Sequence, residues 1–387
     1  MTAPQQYETM TDVPSENRTF EIDILRTIAI FGVMIAHLWF FSSIIGSNFL
    51  FANLNFGWIT ATVGLILFFF LSGYSLMLKR PRFDKWEEVK IYFFRRIKAI
   101  YPVYWIALTV AYITESVFAQ SLLMPNLLVL NASQWAAFTS GLQIMFFQGV
   151  VQDPSLFWFV GTIVALYLIF PILIRYTSVS SRPFRSSLFI ISALVFIGIL
   201  TFGKFLNMLN MDQLFYYYWF FVLGIAAGYD NKLLDLSRLK LAIIAILFFI
   251  GVGMDYVLFD MSLPAFQPLL QLVPSYFPTD LCAVLVGIAT ISFAFPIAKR
   301  IKVLFGPLSR PVVSRIARST YPIYLFHPYF LFFVMTVAAP YGPEAVALTV
   351  LFIGMPMAVG VSPYIQDLTN KSLSWVRSNV LAVPSPP

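Results

Sequence analysis

One cysteine, Cys282, and two histidines, His37 and His327, supply all the thiol and imidazole in 387 residues. A lone thiol excludes an intramolecular disulfide framework and any multi-cysteine zinc or iron-sulfur site. Two imidazoles are too few for a histidine-based metal cluster, so no metal is expected. Charge is scarce too, at 11% of residues, where soluble domains carry about 25%. Gly-rich phosphate loops are missing: neither G-x-x-x-x-G-K-S/T nor G-x-G-x-x-G occurs, so ATP-driven chemistry has no support. No repeat of fixed period and no Gly- or Ser-rich linker divides the chain, which reads as one membrane domain. What is abundant is apolar surface: 59% hydrophobic residues, including 41 Phe, 19 Tyr and 8 Trp. One soluble core of this size cannot hide so much ring surface, and lipid is its natural solvent.

The stretch 1–23 is polar and mildly acidic, with Glu8, Asp12, Glu16, Glu21 and Asp23 against Arg18. It lacks the basic start and small-residue cleavage site of a signal peptide, so the first apolar segment is expected to be retained. With about 20 mainly apolar residues per membrane helix, ten spans are predicted. They fall at 24–46, 55–78, 99–121, 156–175, 187–204, 213–229, 241–259, 278–298, 319–338 and 345–365. The stretch 127–150 is apolar but interrupted by Asn131, Ser133, Gln134, Thr139, Ser140 and Gln143, and reads as interfacial or re-entrant rather than as an eleventh span.

With the N-terminus in the cytoplasm, 24 of the 25 Lys and Arg fall on the cytoplasmic side, in the loops after the second, fourth, sixth and eighth spans and at the termini; Lys204 alone lies outside. This asymmetry is the positive-inside signal. It predicts an all-α polytopic membrane helix bundle of about ten transmembrane helices, with both termini cytoplasmic. The parts are a tail at 1–23, a membrane domain at 24–365 and a frayed cytoplasmic tail at 366–387. The net charge of +7 is thus a topology signal, and no nucleic-acid partner is expected.

An ionisable group within a span costs roughly 2.5–3.5 kcal/mol at its centre and is a functional candidate by default. The candidates are His37, Glu115, Asp255, Asp280 and His327. Asp255 and Asp280 lie near the outer ends of their spans, which favours an interfacial reading, and Glu115 lies in the outer half of its own. Arg26 and His37 are eleven positions apart, about 16 Å along a helix and about 20° around it, so they share a face. An anionic carrier held by Arg26 at the cytoplasmic mouth would present its reactive group to the imidazole. Spacing alone allows equally a neutral histidine bonded between helices, with Arg26 a snorkelling anchor. His327 lies eight residues beyond Ser319, about 12 Å into the ninth span, a depth close to that of His37. Tyr324 shares its face and has a hydroxyl to donate. The basic run Arg95-Arg96-Ile97-Lys98 reads first as a topology determinant or lipid-headgroup contact, and more sharply as a phosphate site.

Taken in order, several motifs resemble the acyltransferase-3 family of integral membrane acyltransferases. Arg26 followed after ten residues by His37 is similar to its opening Arg-x10-His element. Phe68-Phe69-Phe70-Leu71-Ser72-Gly73-Tyr74 is similar to FFFxSGF, and the run from Arg95-Arg96 to Tyr101-Pro102-Val103-Tyr104-Trp105 to RRxxRIxPxYW. Phe157-Trp158-Phe159 through Tyr167 to Pro171 resembles WFL...YLxxP, Phe220 to Gly224 resembles FFxxG, and Ser319 to His327, with Tyr324 inside it, resembles SxYxIYLxH.

The resemblance implies transfer of an acyl group, usually acetyl, from cytoplasmic acyl-CoA to a hydroxyl of a carbohydrate or glycolipid acceptor at or across the cell membrane. By position, His37 would be the catalytic base or transient acyl carrier. Arg26, Arg95 and Arg96 would engage the CoA phosphates, with Lys98 supplying charge where the family's third Arg falls on Ala99. Ser72, Trp158, Tyr167, Tyr324 and His327 would be substrate-binding or supporting residues. The family's Glu inside WFL...YLxxP has no counterpart in Gly161 to Ala165, so the resemblance does not name what orients His37. A transporter or flippase fits the composition and span count as well, though no two-fold internal repeat supports it. Trp39, Trp135, Trp158 and Trp219 could stack on sugar rings, although interfacial Trp is more often an anchor.

Overall fold

The computed structural model describes residues 20–44, 56–79, 81–118, 132–143, 157–178, 184–205, 211–230, 234, 236–255 and 277–379. Among the described residues the chain is helical and contains no strand. The helices are α1 (Phe20–Ile44), α2 (Phe56–Met77), α3 (Trp86–Phe118), α4 (Ala132–Ser140), α5 (Trp158–Ser178), α6 (Phe184–Phe205), α7 (Met211–Tyr229), α8 (Arg238–Asp255), α9 (Phe277–Arg318) and α10 (Thr320–Ala338). After a short 3-10 turn come α11 (Pro343–Thr349), a π-helical turn at Val350–Gly354 and α12 (Met355–Asn379).

Over their described residues nine of the ten predicted segments each fall on one helix, and the tenth, 345–365, runs through α11, the π-helical turn and α12. Seven helical stretches among the described residues have the length and apolarity of a membrane span: those in α1, α2, α3, α5, α9 and α10, and the composite stretch Pro343–Ser374. Helices α6, α7 and α8 fall outside that set, although α6 and α7 contain shorter apolar stretches, Ser186–Gly198 and Tyr217–Tyr229. The multi-pass helical architecture thus stands on seven spans.

Glycine decides how closely the central helices approach. A Cβ placed on Gly73 of α2 would overlap the Phe221 carbonyl oxygen of α7, and one on Gly224 would overlap the Phe70 carbonyl oxygen. One turn on, a Cβ on Gly228 would lie 2.6 Å from the Tyr74 oxygen. Helices meet backbone to backbone here, a packing open only to the smallest residues and suited to lipid, where van der Waals fit replaces hydrophobic drive. Gly64 makes the same approach to α1, where an added Cβ would stand 2.6 Å from the Ala29 oxygen. Gly224→Ala is therefore expected to destabilise the bundle by about 1–3 kcal/mol, the range for overpacking. A thermal melt in detergent checks this, and an unchanged melting temperature would contradict the backbone contact.

Helix α4 spans nine residues, about 14 Å, far short of the roughly 30 Å hydrocarbon core. Its C-terminal carbonyls, which no helix can satisfy internally, are capped by one turn of α3. The Tyr104 hydroxyl donates to Phe138 O at 2.6 Å, Trp105 Nε1 to Thr139 O at 3.0 Å, and the Tyr101 hydroxyl to Ser140 O at 2.5 Å. Gly141 then leaves the helix at φ +69°, its N–H bonded back to Phe138 O. The aromatic part of the Tyr101–Trp105 motif thus serves as the docking point of α4, which fits a re-entrant rather than a spanning reading of the described part of 127–150.

Three stretches depart from expectation. Of the basic stretches read as loops, 86–98 opens α3 and 299–318 continues α9 as helix, and residues from 366 onward, read as a frayed tail, are helical to Asn379. Charge marks the side of a membrane but does not interrupt a helix, and α9 is held to α1 beyond its apolar part. Lys302 Nζ bonds Glu21 Oε1 at 2.8 Å, and the Arg310 guanidinium lies 5.8 Å from the Phe20 ring centroid.

Candidate active site

At the basic end of the bundle a cavity of about 700 Å³ opens between α1, α2, α3, α5, α9, α10 and α12. Four arginines from three helices line it: Arg26, Arg96, Arg315 and Arg318. Arg26 Nη2 donates to Ser75 Oγ at 3.1 Å, which ties α1 to α2. The Arg96 guanidinium lies 5.6 Å from the Tyr92 ring centroid and 5.4 Å from that of Tyr167, a cation–π contact with each ring. Its Nε is buried with no hydrogen-bond acceptor. Arg315 stands 5.1 Å from the Tyr364 ring centroid, and Arg318 Nε donates to its own helix at Ser314 O. Four planar cations facing one cavity that holds a single carboxylate, Asp367, fit a polyanion such as a phosphate-bearing donor. Ser72, Tyr167, Tyr321 and Tyr324 also line this cavity; Ser72 Oγ itself donates to Phe68 O at 2.7 Å.

A second cavity, of about 340 Å³, is lined by His37, Trp39, Phe40, Trp58 and Trp158 among others. Its walls are aromatic and carry no formal charge. Tyr324 borders both cavities, which therefore adjoin at that residue.

His37 lines the smaller cavity. His327, fully buried, places Nε2 2.8 Å from His37 Nδ1. His327 Nδ1 lies 2.7 Å from Tyr324 O and 3.1 Å from Ile323 O. A carbonyl accepts only, so the network assigns the proton of His327 to Nδ1 and its lone pair to Nε2. That lone pair accepts from His37 Nδ1–H, for which the Val33 carbonyl one turn earlier is a further acceptor. The tautomer of His37 protonated on Nδ1 carries its own lone pair on Nε2, the position of a general base. The bond expected from the Tyr324 hydroxyl to His327 is replaced by one from His327 to the Tyr324 backbone oxygen. The partner that orients His37, unnamed by the sequence, is thus a second imidazole.

Of the residues singled out from sequence, the structure brings Arg26, Ser72, Arg96, Tyr167 and Tyr324 to the larger cavity, and His37, Trp39, Trp158 and Tyr324 to the smaller one, with His327 behind His37. Arg95 and Lys98 are exposed and line neither. Trp219 packs instead on Phe196 and Tyr218. The side chains of Glu115, Trp135, Asp255 and Asp280 lie outside the described residues. Sequence reasoning missed Arg315, Arg318, Gln366, Asp367 and Asn370; the signal was an Arg-x-x-Arg pair directly before the Ser319 to His327 motif.

Among the described residues no group of His, Cys, Asp and Glu is placed to hold a metal ion. No curated protein and no solved structure matches the chain. The family model described as an acyltransferase domain does match it, over residues 20–366, nearly its whole length. With multiple membrane-spanning helices and this match, the chain belongs to the acyltransferase 3 family and is a membrane acyltransferase, transferring groups other than amino-acyl groups.

Proposed function

We propose that the protein moves an acyl group, acetyl in the simplest case, from cytoplasmic acyl-CoA to a hydroxyl of a carbohydrate or glycolipid at the cell membrane. The observation that carries this reading is the position of His37, bonded to His327 at 2.8 Å and lining an aromatic cavity that adjoins an arginine-lined one at Tyr324. Under the positive-inside rule the arginine-lined cavity opens to the cytoplasm. Arg26, Arg96, Arg315 and Arg318 hold the donor's phosphates, and the donor supplies a thioester. Trp58 and Trp158 offer ring faces and no charge, which suits a neutral sugar ring.

His37 Nε2 accepts the proton of the acceptor hydroxyl as that oxygen bonds to the acyl carbon. The carbon–sulfur bond then breaks, and the proton on Nε2 passes to the leaving thiolate, so His37 ends neutral. His327 accepts from His37 Nδ1–H throughout and so holds the ring, and the donor's acyl end reaches His37 past Tyr324, where the two cavities adjoin.

Thiol release from acetyl-CoA by purified protein, measured with a panel of neutral sugars and their glycolipids, tests the reading. A sugar-dependent release is expected, and none above background with any acceptor would defeat it. The same assay separates the two adjacent arginines. Arg96→Gln is expected to raise KM for acetyl-CoA about tenfold, the loss of one charge-assisted contact. Arg95→Gln is expected to leave KM within about twofold, and equal effects would contradict the cavity assignment.

A further inference from the structure

Helix α9 is 42 residues long, about 63 Å and twice the roughly 30 Å hydrocarbon core. Its apolar part packs along α2 toward the arginine-lined cavity. A Cβ added to Gly287 would meet Ile66, and the Phe295 ring centroid lies 5.3 Å from that of Tyr74. Tyr74 adjoins Ser75, the partner of Arg26, so Phe295 already stands at the level of the cavity. A straight helix would carry Arg318, 23 positions on, about 34 Å past that level. Arg315 and Arg318 instead line the cavity beside Arg26 and Ser72. Contacts in between trace the return: Lys302 pairs with Glu21, Gly306 and Arg310 reach Phe20, and Thr27 Oγ1 lies 3.4 Å from Val313 O. Gly306, Pro307 and Pro311 are where such a helix bends, since each proline removes a rung of the hydrogen-bond ladder. The segment 303–318 therefore crosses the basic end of the bundle and does not project from it.

The crossing segment carries apolar side chains that the protein leaves open. Leu308 is 89% exposed and Val303 81%, with Leu304, Phe305 and Val312 exposed beside them. Lys299, Arg300, Lys302 and Arg310 are exposed around them, and no acidic residue occurs between 299 and 318. Such a patch is not left to water. It continues the membrane span Cys282–Gly306, so lipid is its adjoining medium. Apolar side chains at the acyl boundary, with cations at the headgroups and no acids among them, suit an anionic leaflet. We propose that the segment 303–318 lies in the membrane interface and, with Lys299, Arg300 and Arg310, binds anionic phospholipid. The segment ends on Arg315 and Arg318 at the arginine-lined cavity, so lipid bound here borders the mouth of that cavity.

Cys282→Ala/Leu308→Cys removes the buried native thiol and places one on the open face for an environment-sensitive fluorophore. The labelled full chain is reconstituted into phosphatidylcholine vesicles that contain phosphatidylcholine or phosphatidylglycerol spin-labelled on the acyl chain. Both lipids are expected to quench the fluorophore and aqueous iodide to quench it little. Phosphatidylglycerol is expected to reach half-quenching at about tenfold lower mole fraction than phosphatidylcholine. Adding Lys299→Gln/Arg300→Gln/Arg310→Gln, none of which lines either cavity, is expected to abolish that preference with the melting temperature unchanged. High salt on the protein with its charges intact is expected to weaken the preference without those substitutions. Quenching by iodide in place of lipid would put the segment in water, and protection from both would mean that a protein surface, such as a second copy, covers it. Equal quenching by the two lipids, or a preference indifferent to both neutralisation and salt, would remove headgroup recognition. Each of these results overturns the proposal. None of the readouts involves turnover, so any of them leaves the donor assignment standing.

Discussion

His37→Ala is expected to lower sugar-dependent thiol release by about 10²–10⁴-fold, the usual contribution of a positioned general base. The substitution removes the lone pair that accepts the hydroxyl proton, and among the described residues the only other imidazole is His327, whose Nε2 faces His37 rather than either cavity. Its effect should be confined to chemistry. His37 lines the smaller cavity and the arginines the larger one, so CoA affinity is expected to stay within about twofold. The protein is expected to remain folded, because the truncated side chain borders an existing cavity into which water can reach His327 Nε2; a buried acceptor left dry would cost about 1–3 kcal/mol. Size-exclusion profile, melting temperature and CoA binding, measured beside turnover, separate loss of the base from loss of the fold. A His37→Ala protein with wild-type turnover would remove His37 from the mechanism.

Long apolar runs made the helices legible, since lipid permits little else. Contacts between helices were not. Arg26 and His37 share a helix, so their common face follows from 3.6 residues per turn, whereas the meeting of His37 with His327 depends on how α1 packs against α10. Spacing within either helix carries no information on that. The adjacent arginines show a signal that was present but unused. Tyr92, Arg96 and Ile100 recur every fourth residue, and Tyr92 and Ile100 are buried, so they mark the inward face of α3. Ile91, Phe94 and Ile97 are exposed and mark the opposite side, among which Arg95 and Lys98 fall. Arg315 and Arg318 had been counted only as topology charges, which hid their place in the cavity. The polar end of α12 was hidden for the same reason: a hydropathy reading stops where the apolar run stops, although the helix does not.

His327→Leu is expected to reduce turnover by about 10–100-fold, the usual cost of losing the partner that orients a reactive histidine. Leucine fills a similar volume but accepts no hydrogen bond. His37 would then lose its bond across to α10 and keep the Val33 carbonyl on its own helix, so the ring would lose the interhelical contact that fixes its direction. The loss should fall on kcat, with KM for acetyl-CoA unchanged, because His327 lines neither cavity. His327→Gln provides the control against simple packing damage. Its amide oxygen can accept the same bond, and its Nε2 cannot replace a base, so partial recovery relative to Leu would come from orientation alone. Equal impairment of the Leu and Gln proteins would assign His327 a packing role, and full activity in the Leu protein would leave the Val33 carbonyl sufficient to hold His37. The expected order, wild type above Gln above Leu with unchanged CoA affinity throughout, is the signature of an imidazole that acts through its neighbour.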